Sequence, residues 1–372
     1  MAIRRVNEID FLRFFAAVMV MLHHYSFRGY AADGMSTMPY PLLAPVAKYG
    51  YLGVQLFFLI SGFVILMTAS TGSLKKFIVS RFARLYPAFW VCCTVTFVTI
   101  TTIGGKYYSA SIGQYFINMT MLSGFIGVPS IDGAYWSIFT ELKFYALIAL
   151  LLIFRKINQA QLFLVLWLIA TIALNVLKIG KLGSLLSIIL IVDDSPYFIA
   201  GAMSFLVWSR GISLTRISVI FIAWLLAISY SLDDIPSRET HYNTEFNSYV
   251  VIGMISTFFA IMLLVSIRRT GFLGKRQWVT IGALTYPLYL LHQRIGFMIF
   301  NLAYPAINPH ILLWGTVFLM LAAAYLVNVL IEQKYSVRLK NLLTHLIELI
   351  EQIYSNYRRN LLTYLKRKRD KQ

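Results

Sequence analysis

Acidic residues are scarce in this sequence, and charged residues of either sign are few for its length. Of 372 residues, 15 are Asp or Glu and 33 are Lys or Arg, and 13% in all are charged. Cysteine is limited to the adjacent pair Cys92 and Cys93, which cannot bridge distant segments. We recognise no glycine-rich phosphate loop, no metal-ligand cluster and no internal repeat. These scarcities give no basis for a disulfide framework or a resident metal.

Apolar residues are correspondingly abundant, at 59% of the sequence with a mean hydropathy of +0.70. A soluble globule of this size could not bury so much apolar surface. The sequence therefore predicts an all-α, polytopic integral membrane helix bundle of about ten transmembrane helices. The piece 183–192 is too short to span and is predicted to be re-entrant or interfacial. The predicted spans lie near residues 11–28, 49–70, 86–104, 134–154, 161–179, 196–208, 214–232, 249–267, 279–303 and 311–331.

Lysine and arginine are concentrated in alternate loops. Twenty-four of the 33 fall on one side of the predicted bundle, from Arg4 to the ten that follow residue 331, and six, Lys178 among them, fall on the other. Positive residues favour the cytoplasmic side, so both termini are predicted to be cytoplasmic. The net charge of +18 is then mainly a topology signal and an attraction to anionic lipid. Nucleic acid is not an expected partner.

The chain divides into a membrane domain, residues 1–331, and a basic tail, residues 332–372. We expect truncation after residue 335 to leave activity intact, because the tail holds no candidate catalytic side chain. The tail ends in a basic run from Lys366 to Arg369. Its pattern predicts an amphipathic helix that either lies on the inner leaflet or forms a coiled coil in a homo-oligomer. Its apolar positions, three and four residues apart, are Leu339, Leu343, Leu346, Ile350, Ile353 and Tyr357.

Ionisable side chains inside the predicted spans are few, and each requires a partner or a purpose. His24 and Glu141 are expected at similar depths, about 6 Å and about 10 Å below the outer ends of their spans. A carboxylate beside an imidazole fixes its tautomer, as a general base requires. The alternative is a buried polar pair that only locks two helices together. The other charged or imidazole groups in the spans are Asp10, Arg13, His23, Lys143, His292 and Arg294.

Arg81 and Arg84 lie in the segment "KKFIVSRFARLYP", just before Pro87, which is predicted to open the third span. In a helix these two arginines share a face. Two guanidinium groups on one face suit a phosphorylated ligand through bidentate hydrogen bonds. The alternative is ordinary positive charge on the cytoplasmic side.

Five segments stand out when they are taken together and in order. They are "EIDFLRFFAAVMVMLHH", "GVQLFFLISGF", "SRFARLYPAFW", "WSIFTELKFY" and "LTYPLYLLHQ". In that order they resemble the motifs of the transmembrane acyltransferase-3 family, whose members O-acylate bacterial polysaccharides, lipopolysaccharide and other glycans. The resemblance extends over most of the chain and implies an enzyme of the bacterial inner membrane without the soluble domain that some members carry.

The resemblance implies a role for each of these residues. The Arg and His spaced eleven positions apart in the first segment select Arg13 and His24, with His23 the less favoured imidazole. Glu141 and Asp10 join them as catalytic candidates. The donor-binding candidates are Arg81 and Arg84, and the substrate-binding candidates are Trp136, Tyr145, Tyr286 and His292.

The sequence thus predicts an O-acyltransferase in which His24, oriented by Glu141, is the general base. It would move an acyl group, expected to be acetyl, from cytoplasmic acyl-coenzyme A to a hydroxyl of a cell-surface or lipid-linked glycan. No permanently bound cofactor is expected. The alternative function is a secondary transporter that uses the same buried charges as a proton relay. A structural scaffold would leave those charges without a purpose.

Overall fold

The computed structural model describes residues 5–32, 34–177 and 180–369, with side chains described as far as Arg359. Within these ranges the chain is helical and contains no β-strand. Arg4 and Lys178, which entered the predicted charge asymmetry, lie outside the described residues. The side chains of the basic run from Lys366 to Arg369 lie outside them as well.

Fourteen helices of eight or more residues carry the fold over the described ranges. Shorter turns join them, including π-helical turns at His24–Arg28 and Asn328–Glu332 and a 3-10 turn at Gly133–Tyr135. The fourteen are α1 Asn7–His23, α2 Gly53–Ala69, α3 Leu74–Ile103, α4 Ile112–Met119, α5 Trp136–Ile153, α6 Ala160–Leu177, α7 Gly180–Ile189, α8 Ser195–Arg210, α9 Leu214–Asp233, α10 Ile235–Tyr242, α11 Ser248–Ser266, α12 Val279–Ala303, α13 Pro309–Val327 and α14 Gln333–Arg369.

Each of the ten predicted spans coincides with one of these helices, which confirms the all-α membrane class. In the described part of the chain, seven helices are long and apolar enough to cross a membrane. The other three, α1, α8 and α12, are shorter or more polar, and most of their residues are buried. Helices that neighbours shield from lipid can carry polar side chains, so the least apolar helices lie inside the bundle. The number of crossings and the cytoplasmic position of the termini stay predictions.

The third helix begins earlier than the sequence predicted. Ser73 caps α3, its hydroxyl accepting a hydrogen bond of 3.2 Å from the backbone N–H of Lys76. Pro87 therefore lies inside the helix, and the prediction that it opens the span was wrong. A local capping side chain decided the start, and a proline inside a membrane helix is tolerated where neighbours surround it. Arg81 and Arg84 consequently belong to a rigid helix.

Two glycines bring α2 and α8 into close contact. Gly62 faces Gly201, and a Cβ atom at Gly62 would lie 2.9 Å from the backbone nitrogen of Ala202. The resulting pair forms the centre of the bundle.

The arrangement of helices around α1 determines which side chains can meet. Both α2 and α12 pack on α1, whereas α5 packs on α2 and α3. Helix α14 continues from α13 through the second π-helical turn and packs along α3. The exposed ion pairs of Lys75 with Glu348 at 3.3 Å and Glu351 at 3.2 Å lie along the same contact.

Candidate active site

His24 is hydrogen-bonded to a second histidine from the opposite end of the sequence. It is the first residue of the π-helical turn that follows α1, and its Nδ1 lies 2.8 Å from Nε2 of His292 in α12. Both side chains are buried. The hydroxyl of Tyr25 donates a bond of 2.7 Å to the backbone carbonyl of His292, which fixes the two helices at this point. Turns of π-helix occur frequently at functional sites.

The contacts at the two ends of this pair determine its protonation. His292 Nδ1 lies 2.9 Å from the carbonyl of Tyr289, which can only accept, so that nitrogen carries the proton. A neutral His292 then presents an unprotonated Nε2, to which His24 Nδ1 donates. The Nε2 of His24 then carries no proton. Its lone pair faces Nη1 of Arg28 at 3.5 Å, a group that can only donate. Both ends therefore select the same tautomer, with His24 Nε2 as the basic atom.

His23 has a different environment, although it is adjacent in sequence. Its Nδ1 lies 3.0 Å from the carbonyl of Ala47, and its ring packs against Phe27, Tyr51 and Tyr242. Consecutive helical residues point about 100° apart, so the two imidazoles face different neighbours. His23 is a satisfied interior histidine, and the preference for His24 over His23 agrees with this geometry.

The predicted pairing of His24 with Glu141 was wrong. The Oε1 atom of Glu141 accepts hydrogen bonds from the Ser61 hydroxyl at 2.8 Å and the Tyr145 hydroxyl at 2.9 Å. The estimate from helix ends gave only depth, and depth does not determine which helices are neighbours. Because α2 and α12 flank α1, the partner available to His24 comes from α12. His292, predicted as a substrate-binding residue, takes the orienting position instead.

A cavity of about 520 Å³ opens between the ends of α1, α2, α3, α12 and α14 that are predicted to be cytoplasmic. Arg13 and Arg84 line it, together with Asp10, which accepts a hydrogen bond of 2.6 Å from Arg5 Nε. Residues from α14 form part of its wall. The tail therefore contributes to the wall of this cavity, although the sequence places no candidate catalytic side chain in it.

A second, smaller cavity of about 80 Å³ adjoins the first and lies deeper in the bundle. The two share Arg13, Arg84, Gly282 and Tyr286 in their walls. Glu141 and Tyr289 line the smaller one only. Because the carbonyl of Tyr289 orients His292, this tyrosine connects the small cavity to the histidine pair.

Arg13 and Arg84 line both cavities and have no side-chain partner in the described part of the chain. Within the described ranges, neither guanidinium group makes a hydrogen bond or an ion pair. Arg81 also lines the small cavity, but its Nη2 donates to the Thr68 hydroxyl at 3.2 Å and its guanidinium lies 6.0 Å from the centre of the Tyr145 ring. Two neighbouring guanidinium groups without a carboxylate partner form a site suited to an anion. Arg13 with Arg84 is therefore better placed for a donor phosphate than the predicted pair.

Comparison with known proteins now identifies the family. Residues 6–332 match the family described as "Acyltransferase domain", which is nearly the whole membrane part of the chain. The chain belongs to this acyltransferase family. The family motifs thus bring together, in one bundle, the histidine pair and the two adjoining cavities.

Two curated relatives are similar to this chain over part of their length. Nodulation protein 10 of Rhizobium leguminosarum bv. viciae is 30% identical over 176 residues, which cover 41% of this chain and 46% of that protein. Peptidoglycan O-acetyltransferase OatA of Listeria monocytogenes serovar 1/2a is 28% identical over 172 residues, 41% of this chain and 25% of that protein. The match therefore spans less than half of either relative. No solved structure matches this chain.

Tyr145 and Tyr286, two more of the predicted site residues, line the small cavity. Tyr145 bonds to Glu141, as described above. Tyr286 lines both cavities and donates to the Leu85 carbonyl at 3.3 Å. Trp136, 46% exposed, lies instead at a separate pocket of about 220 Å³, which is also lined by Phe89 of α3 and by residues of the segment between α3 and α5. The structure places Trp136 away from the two adjoining cavities.

Sequence reasoning missed three residues near the histidine pair. Arg28 was counted as a loop charge, although its position four residues after His24 puts both on one helical face. Tyr289 belongs to the recognised Tyr-x-x-Tyr-x-x-His segment and was detectable by that spacing. Asp132 carried no such pattern: it is fully buried and accepts hydrogen bonds from the backbone N–H groups of Ala134 at 2.8 Å and Arg294 at 2.9 Å. Burial raises the pKa of the Asp132 carboxyl.

Proposed function

We propose that this protein is a membrane O-acyltransferase that moves a short acyl group from acyl-coenzyme A to a hydroxyl group of a cell-surface glycan. The observation that carries the proposal is the hydrogen-bonded chain from the Tyr289 carbonyl through His292 to His24, which leaves His24 Nε2 unprotonated. A neutral imidazole held in one tautomer is the arrangement that a general base requires. The membrane is taken to be the bacterial inner membrane.

The donor enters the larger cavity from the cytoplasm. Its phosphates bind Arg84 and Arg13, which have no other partner, and its thioester extends towards the small cavity. At neutral pH the 3′-phosphate of coenzyme A carries nearly two negative charges and each phosphate of its diphosphate bridge about one, and guanidinium groups bind phosphates through paired N–H groups. Glu141 holds Tyr145 in the wall of that cavity through the hydrogen bond described above.

The acceptor hydroxyl approaches His24 from the outer side. His24 Nε2 removes its proton while the hydroxyl oxygen attacks the thioester carbonyl carbon. The new C–O bond forms, the C–S bond breaks, and the thiolate of coenzyme A leaves with the proton that His24 returns. Arg28, whose Nη1 lies 3.5 Å from His24 Nε2, is the nearest cation to the oxygen that becomes negative in this step.

The volume of the small cavity favours a short acyl group. About 80 Å³ is room for several water-sized groups, each of which needs roughly 10–15 Å³ of such a cavity. An acetyl group, with three heavy atoms, fits in this space. Acetyl transfer also agrees with the activity for which the Listeria relative is named, O-acetylation of peptidoglycan.

A glycan acceptor rests on the family and on that relative. The separate pocket that includes Trp136 contains aromatic side chains and the hydroxyls of Ser123 and Ser130. This mixture suits a sugar ring. A transporter would explain the buried charges, but it gives no role to the two unpaired arginines that line both cavities. The acceptor is a cell-surface polysaccharide such as peptidoglycan.

The test compares two adjacent histidines. Purified protein is incubated with radiolabelled acetyl-coenzyme A and a panel of bacterial glycans, including peptidoglycan. We expect His24→Ala to lower turnover by about a hundredfold to ten-thousandfold, the range typical of a general base, while binding of coenzyme A persists. His23→Ala, the matched control, should lose much less turnover. Normal turnover in folded His24→Ala protein would remove the proposed base, and movement of unmodified solute without acyl transfer would favour the transporter.

A further inference from the structure

The tail helix α14 lies beyond the family match, which ends at residue 332, yet it reaches the larger cavity. Ser336 and Lys340, four residues apart on α14, line that cavity as one stripe along the helix, and Glu332 of the preceding π-helical turn lines it next to them. The stripe faces Ser80 and Arg84 of α3 across the cavity. The wall of the proposed donor site is thus completed by residues outside the acyltransferase domain.

The position of α14 is fixed by its contact with α3. It runs antiparallel to that helix, from the apolar groove that Trp90 and Tyr335 share to the ion pairs of Lys75 with Glu348 and Glu351. These exposed ion pairs contribute little stability by themselves, so the apolar contact is the main attachment. Lys340 lies between the two ends of this contact.

The charges of the cavity are graded along its depth. Arg13 and Arg84 also reach the small cavity, whereas Lys340 lines only the larger one. At 1.5 Å per residue, Lys340 lies about 12 Å along the helix from Glu332, towards the predicted cytoplasmic mouth. It is exposed, and in the described part of the chain its ammonium group has no ion-pair or hydrogen-bond partner.

We propose that Lys340 of the C-terminal helix binds the ribose 3′-phosphate of the coenzyme A donor at the mouth of the cavity. This inference rests on the proposed function, because it needs a donor whose thioester enters first. The adenosine end then remains at the mouth, where Lys340 is the available cation. A lysine ammonium binds phosphate as a point charge and requires no fixed orientation.

The experiment measures equilibrium binding of radiolabelled coenzyme A and of 3′-dephospho-coenzyme A to the full-length protein in detergent. Lys340→Gln should weaken coenzyme A binding roughly tenfold, as expected for one charge-assisted hydrogen bond near solvent, and should leave binding of the dephospho compound unchanged. Lys334→Gln is the matched control, since Lys334 is exposed on the same helix but does not line the cavity. It should bind both compounds like the wild type.

Each outcome assigns the failure to one hypothesis. If the wild type binds neither compound saturably, the proposed donor is wrong. If it binds coenzyme A and Lys340→Gln binds it equally well, the inference is overturned while the proposed function stands. Equal weakening by Lys334→Gln, or of both compounds by Lys340→Gln, would also overturn the inference, because general charge or indirect structure would then explain the effect.

A second measurement is independent of the lysine. Ser336→Cys places a thiol on the cavity stripe, in a chain whose two native cysteines are buried. Coenzyme A should slow its modification by a polar maleimide, whereas Lys334→Cys should react at the same rate with and without coenzyme A. No protection of Ser336→Cys, at a concentration that saturates the wild type, would place the donor away from α14.

Discussion

The contact between His24 and His292 allows the sharpest test of the site. In His292→Ala the Nδ1–H of His24 loses its acceptor inside the bundle, and only the long 3.5 Å contact of Arg28 Nη1 with His24 Nε2 then still selects the tautomer. An unsatisfied buried hydrogen-bonding group costs about 1–3 kcal/mol. If that cost falls on the reactive arrangement of His24, turnover should decrease by roughly 5- to 150-fold. This is less than the loss expected for His24→Ala, because the base itself remains.

The variant His292→Gln separates orientation from packing. A glutamine carbonyl can accept from His24 Nδ1 where the His292 Nε2 atom lies, so it should recover part of the turnover that alanine loses. The assay is steady-state acetyl transfer with the Michaelis constant for acetyl-coenzyme A determined in parallel. Positioning predicts that turnover changes and that this constant changes little. Near-normal turnover in folded His292→Ala, combined with strong loss in Glu141→Gln, would refute the histidine pair and restore the carboxylate as the orienting group.

Of three further predictions, two concern the donor site and one concerns a partly buried acid, Asp194. Arg84→Gln should raise the Michaelis constant for acetyl-coenzyme A at least about tenfold, with little effect on the Michaelis constant for the glycan. Arg155→Gln, at an exposed position just after α5, should change neither constant. Equal effects of the two substitutions would return Arg84 to a topological role. Phe57→Ala enlarges the small cavity and should raise the ratio of kcat/KM for butyryl-coenzyme A to that for acetyl-coenzyme A at least about tenfold. One methylene in a tight pocket is worth about 1–3 kcal/mol. An unchanged ratio would place the acyl group elsewhere. Burial and the neighbouring Asp193 raise the pKa of Asp194 from 3.8 to about 7, so its protonated form favours the folded state, and the stability that it contributes is lost as the pH rises from about 4 to about 7. Asp194→Asn should flatten this part of the melting-temperature profile, and an identical profile in both proteins would contradict the assignment.

The sequence by itself determined the class of the protein and most of its parts. Long apolar runs have to be helical in a bilayer, because a helix satisfies its own backbone hydrogen bonds, and so the ten predicted spans coincide with helices. The motif spacing also favoured His24 over His23, and the structure gives these adjacent imidazoles different neighbours, since adjacent residues of a helix do not share a face.

The tertiary structure alone decided which of these parts meet. Depth along a helix can be counted from the sequence, but the neighbours of a helix depend on close packing such as that of Gly62 on Gly201. That packing surrounds α1 with α2 and α12, and it gives His24 a histidine partner while Glu141 bonds to Ser61 and Tyr145. The tail shows the same limit of sequence reasoning. The periodic spacing of its apolar residues predicts a helix, whereas only its contact with α3 brings Lys340 to the cavity. A periodic pattern identifies which face of a helix is buried, but it does not identify the surface that covers that face.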